Sequence, residues 1–121
     1  MAVWSIKIVP GTRRSDPATF VPQLQAPAPD GTYPNGLYAD SGDVVSWDNT
    51  QSKQTHQPVP TDQNYNPVPV TPANLLSNRI PAGESSRPAY VVVKPTTGDL
   101  KTIYYRCALH PREHGKITVT S

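Results

Sequence analysis

The stretch YYRCALHPREHGKITV, residues 104–119, holds the chain's only cysteine and two of its three histidines. It opens inside an alternating run. In LKTIYYRC (100–107), Ile103, Tyr105 and Cys107 share one face, and Thr102, Tyr104 and Arg106 share the other, as in a strand with one buried side. It closes on KITVT (116–120), where Ile117 and Val119 again lie together. Two strands joined by a tight loop full of soft donor groups set the frame for everything else.

Outward from this stretch the other strand signals are short. VWSIKIV (3–9) places Trp4, Ile6 and Ile8 on one face. DVVSWDN (43–49) is β-branched and follows the turn-like DSG. AYVVVK (89–94) is an apolar run of the kind a sandwich core uses. TTGD (96–99) reads as a hairpin turn. Fifteen prolines in 121 residues argue against helices, because each removes a backbone donor and fixes φ. No stretch shows a 3.6-residue period, although TPANLLSN (71–78) suits a single helical turn. Two proline-rich segments, 16–36 and 57–83, read as long stiff surface loops with room for edge strands. The expectation is one all-β domain, 1–121: an antiparallel β-sandwich of roughly seven or eight strands.

The totals exclude several classes. Net charge is +2 with no basic stripe, which gives no electrostatic footprint for nucleic acid. No apolar run is long enough to span a bilayer, and no signal-peptide core is visible at the start. One cysteine excludes an intramolecular disulfide, and a lone thiol in an oxidising compartment is a liability unless buried or metal-bound.

Cys107, His110 and His114 form C-x₂-H-x₃-H, and His56 follows the DVVSWDN strand after a short polar loop. These are all the Cys and His residues present. Thiolate and imidazole suit copper and zinc, and one Cys with two His and a weak fourth ligand is the donor set of an electron-transfer copper site. Taken singly, each residue has a plainer reading: a buried structural thiol for Cys107, and solvent-facing loop residues for the three histidines. Trp4 and Trp47 read as core.

The sequence resembles the cupredoxins, in particular the plastocyanin and amicyanin branches. SGDVVSWDN is similar to that family's Gly-Asp-x-Val-x-Trp/Phe-x-Asn strand, with His56 in the place of the first histidine ligand. NRIPAGESS resembles the Pro-x-Gly-Glu turn, and 107–116 resembles the loop Cys-x-x-His-Pro-x-Met-x-Gly-Lys. The methionine slot holds Glu113, and the only Met is Met1. The resemblance implies a Greek-key sandwich holding one copper per chain through His56, Cys107 and His110. Glu113 is the axial candidate by loop alignment and strand parity; His114 is its rival by chemistry; a third option is neither. The nitrosocyanin branch uses a Cys/His/His/Glu set. A Glu axial ligand implies a lowered reduction potential and a red or green site in place of a blue one. In the place of the family's Asn after the first histidine stands Gln57, so Gln57 or Asn49 is expected to tie the two ligand loops together.

The function implied is a one-electron carrier, not an enzyme, in the periplasm or another extracytoplasmic compartment, with its leader removed. It would meet redox proteins by transient contact through an apolar collar of Ala108, Leu109 and Pro111; oligomerisation is left open. The alternatives are a copper enzyme or small-ligand-binding copper protein with an open position, a structural zinc site, and a Cys/His nucleophile enzyme.

Overall fold

The structure, a computed structural model, describes residues 2–13, 16–22, 36–70, 76, 78–86, 89–95 and 101–120. Eight strands follow one another: β1 (Val3–Val9), β2 (Thr19–Pro22), β3 (Leu37–Ala39), β4 (Val44–Asp48), β5 (Pro58–Thr61), β6 (Tyr90–Val91), β7 (Thr102–Cys107) and β8 (His114–Val119). They form two four-stranded sheets, β2-β1-β4-β6 and β3-β8-β7-β5. No helix is found among the described residues. TTGD and most of TPANLLSN lie outside them.

The sandwich is as expected, but its sheets are mixed and not antiparallel throughout. β1 pairs with β4 in parallel, and β3 with β8 in parallel. The physical reason is the route of the chain. It leaves the first sheet after β2, adds β3 to the second, and re-enters the first at β4, so β4 comes back beside β1 through a crossover and not a hairpin. The hairpin pairs β1–β2 and β7–β8 are antiparallel.

Alternation supplies the core. Ile6 and Ile8 of β1, Val45 and Trp47 of β4, Ile103, Tyr105 and Cys107 of β7, and Ile117 and Val119 of β8 are buried. Trp4 is only half-buried against them. Rings bridge the two sheets: Tyr105 meets Phe20 edge-on at 5.1 Å and Trp47 at 5.2 Å, a geometry favoured by the aromatic quadrupole. Tyr105 pairs in register with Gly115. A Cβ at Gly115 would stand 2.5 Å from the Tyr105 hydroxyl oxygen, so the glycine is what admits the phenol beneath β8.

The proline-rich segments hold the edge strands for which the sequence left room. β2 ends on Pro22, and β5 contains Pro58 and Pro60. Both are edge strands, where a residue without an N–H costs least. AYVVVK is an edge as well. Tyr90 and Val91 form its ladder, and Val92, buried between the exposed Val91 and Val93, adds backbone bonds to Gly42 (2.9 Å) and Asp43 (2.8 Å).

Asp43, in the turn before β4, closes one end of the sandwich. Its carboxylate accepts from the Ala2 amide (2.9 Å), the Trp4 indole (3.0 Å) and the Asp40 amide (2.9 Å). The Ala2 and Trp4 bonds hold its carboxyl below the usual range. Its share of stability is therefore present above the unfolded carboxylate pKa and lost as pH falls through the lower folded value. Asp43→Ala is expected to cost about 2–3 kcal/mol by stranding these donors. Urea titration checks it: the midpoint should fall with unchanged slope, and the acid limb of the stability profile should flatten.

Candidate metal centre

The β4–β5 loop and the β7–β8 loop meet at one end of the sandwich. His56 is anchored by reciprocal backbone bonds with Ile80 (3.1 and 2.7 Å). Asn49, fully buried, holds the same loop by donating its Nδ2 to the carbonyls of Gln54, Ile80 and Pro81. Gly83, at φ +83°, turns the chain so that its amide reaches the Asn49 carbonyl (3.0 Å). On the other side, Cys107 ends β7 on its inward face. Its amide donates to the Glu113 carbonyl (2.8 Å), and the Glu113 amide to the His110 carbonyl (3.0 Å). The 107–113 loop is thus closed on itself before β8 starts.

The two loops are tied by the backbone of Gln57. Its amide donates to Cys107 Sγ (3.4 Å), and its carbonyl accepts from the Ala108 amide (2.8 Å). The tie expected from a side chain of Gln57 or Asn49 is therefore made by main chain, with Asn49 bracing its own loop.

This framework brings His56, Cys107, His110 and Glu113 together, with one donor atom from each lying within 4.8 Å of all the others. Cys107 Sγ is 3.7 Å from His56 Nδ1 and 3.3 Å from His110 Nδ1. Glu113 Oε1 is 2.9 Å from His56 Nδ1 and 3.3 Å from His110 Nδ1. Cys107, His56 and Glu113 are buried, while the His110 side chain is 32% exposed. The second carboxylate oxygen of Glu113, Oε2, accepts from the Ala18 amide at 2.7 Å. That bond aims Oε1 into the cluster.

The electrostatics favour deprotonated anionic donors. Burial pushes the Cys107 thiol up, but His56, the Gln57 and Leu109 amides and His110 outweigh it and bring it to about 7. Burial likewise raises the Glu113 carboxyl, and His56 with the Ala18 amide lowers it below its ordinary value. Burial opposes a charge on His56, yet Cys107 and Glu113 together raise it to about 9. The cluster therefore attracts a positive charge into the space between its donors.

That charge fits a metal better than a proton. Glu113 Oε1 is buried and has no hydrogen-bond partner, although His56 Nδ1 is close enough for an ion pair. The separation is short, but the alignment is wrong for an N–H bond. A carboxylate oxygen buried with ion-pair distances but no hydrogen bond is incompletely satisfied; a cation shared by sulfur, two imidazoles and this oxygen satisfies all four at once.

His114 lies elsewhere. It starts β8 on the outward face, exposed, with its ring stacked on Tyr65 at 4.0 Å, and Tyr65 meets Tyr104 edge-on. Parity separates it from Glu113, the buried neighbour one residue earlier. His114→Ala is expected to leave metal stoichiometry and spectrum unchanged and to cost about 0.5–1.5 kcal/mol through the lost stack, which metal analysis and thermal unfolding check together.

No family model and no curated protein matches the sequence. Solved structures do resemble the fold. A purple cupredoxin from Nitrosopumilus maritimus superposes with a TM-score of 0.63 at 20% identity, covering 96% of this chain and 98% of that one. The chain has the cupredoxin fold. A pseudoazurin from Sinorhizobium meliltoi (TM-score 0.57, 15% identity, 100% of this chain and 76% of that one) is similar. So is an amicyanin variant in its reduced Cu(I) form at pH 4 (0.54, 16%, 98% and 81%).

On this cupredoxin frame, Ala18 and Ser52 are contributors that the sequence did not single out. Ala18 acts through its backbone amide, which residue identity does not reveal, and Gln57, expected to tie the loops, does so through main chain and not side chain. Ser52, whose hydroxyl lies 2.9 Å from His56 Nε2, was visible only as a polar residue four positions before a histidine.

Proposed function

We propose that this chain is a one-electron carrier: one domain, 1–121, holding one copper through His56, Cys107, His110 and Glu113. The reading is carried by the buried Glu113 oxygen, which makes no hydrogen bond and faces a thiol and two imidazole nitrogens. Copper, when bound, supplies reversible one-electron exchange at an N/S donor set of this kind. The chain supplies the rest. The Cys107 thiolate provides the soft donor, and the Gln57 amide limits its charge. His56 and Glu113, both buried and braced, keep donor positions unchanged when charge changes.

His110 is the one donor side chain with a solvent-facing edge. It is flanked by Leu109, 39% exposed, and by Pro111 and Ala108. A small apolar collar of this sort suits a short-lived redox encounter, since such interfaces are small. Redox proteins are the partners this reading implies, in an extracytoplasmic compartment. Burial of the other three donors favours a carrier over a catalyst, which needs an open position for its substrate.

Visible and electron-spin-resonance spectra of the Cu(II)-loaded protein test the proposal. An intense thiolate band, displaced from blue and indifferent to azide and nitrite, is expected. A colourless sample sinks the copper reading; an anion-sensitive spectrum replaces the carrier with a ligand-binding copper protein.

A further inference from the structure

We propose that Ser52 is the positioning residue that sets which nitrogen of His56 faces the metal centre. The inference rests on the metal reading above and concerns the far side of the same ring. His56 Nδ1 looks at Cys107 Sγ and Glu113 Oε1, both atoms with lone pairs. To serve as a donor it must be bare, so a neutral ring carries its proton on Nε2. Nε2 lies in a side chain 1% exposed, and its partner is Ser52 Oγ at 2.9 Å. Ser52 is itself buried. Its oxygen also accepts from the Gln54 amide (3.1 Å), and its hydroxyl donates to the Gln54 carbonyl (3.4 Å).

A hydroxyl both donates and accepts. With its hydrogen turned to the Gln54 carbonyl, Ser52 Oγ accepts a hydrogen bond from Nε2–H, which leaves the free ring lone pair on Nδ1. The bond made by one imidazole nitrogen sets the tautomer of the other, and partners of this kind orient ligands and raise their basicity.

Ser52 also stands where solvent approaches. A cleft of about 470 Å³ between residues 10–13 and 51–54 reaches Ser52, Ala18 and His56. A water from that cleft could stand in for a deleted hydroxyl, so Ser52→Ala is a weak test. Ser52→Val and Ser52→Thr are nearly equal in shape, and only threonine keeps the hydroxyl.

The experiment measures zinc(II) binding by competition with a chelator for wild type, Ser52→Thr and Ser52→Val. Long-range proton–nitrogen NMR of the His56 ring is recorded in the zinc-loaded and metal-free proteins, and melting temperature verifies folding. Ser52→Val is expected to bind zinc about 10–100-fold more weakly and to shift the His56 tautomer signals. Ser52→Thr should stay near wild type in both. Equal affinities for the valine and threonine variants, or threonine as weak as valine, overturn the assignment. If wild type binds neither zinc nor copper, the metal reading fails by itself. The metal-free NMR, recorded at a pH high enough that the ring is neutral, then decides the role of Ser52: tautomer populations that differ between Val and Thr support it, and identical ones end it.

Discussion

Cys107→Ser is expected to yield a folded protein without intense visible colour when copper(II) is added, and with copper(I) retention reduced by at least about 100-fold. The magnitude follows from the kind of atom lost. Removal of outer partners of metal ligands already costs about 10–100-fold, and here the only soft donor goes. Thiolates select Cu(I) where oxygen donors do not. Folding should survive. Cys107 is fully buried, so a serine hydroxyl pays desolvation, but the Gln57 amide already points at this position. Burying a hydroxyl with that partner costs on the order of 1–2 kcal/mol. Copper titration with absorbance, beside a denaturation curve, separates the two effects. Retained colour in a folded Cys107→Ser protein would place the centre elsewhere.

Glu113→Met is expected to raise the reduction potential by roughly 0.1–0.2 V and to move the spectrum toward blue. The four donor atoms lie within 4.8 Å of one another, so the Glu113 carboxylate sits within a few ångströms of any ion they share. A unit charge at about 4 Å is worth about 4 kcal/mol at an effective dielectric of 20, and tenfold in a one-electron equilibrium corresponds to about 59 mV. The negative oxygen favours the more highly charged oxidation state, and methionine removes that preference. The Ala18 amide, now bonded to Oε2, loses its acceptor in the methionine variant. Glu113→Gln controls for this, since it keeps an amide oxygen for Ala18 while removing the charge. It should reproduce most of the change in potential but not the blue shift. Redox titration of the three proteins checks it, and an unchanged potential in both variants takes Glu113 off the metal.

Glu113 also marks the line between pattern and packing. Its inward direction was legible from parity, because residues 113, 115, 117 and 119 alternate onto one face, and Ile117 and Val119 demand the core. Parity equally sent His114 outward. What no local pattern held was the Ala18 amide, ninety-five positions away, which turns an inward carboxylate into an aimed one. The same contrast holds in the proline-rich segments. Their composition spoke for loops with room for edge strands but not for where those strands lie; β2 and β5 form because an edge strand tolerates prolines whose missing N–H would break a central ladder.

The alternation of apolar residues, the spacing of Cys107 and His110 and the turn glycines reside in the sequence, because each depends on neighbours a few bonds apart. These determine an all-β sandwich and a soft-donor loop. The parallel pairing of β1 with β4, the Gln57 backbone tie, the Ser52–His56 contact and the Glu113 oxygen left without a hydrogen bond belong to the tertiary structure alone. Each depends on where a distant segment comes to rest, and hydrogen bonds made by main-chain atoms leave no mark on side-chain identity.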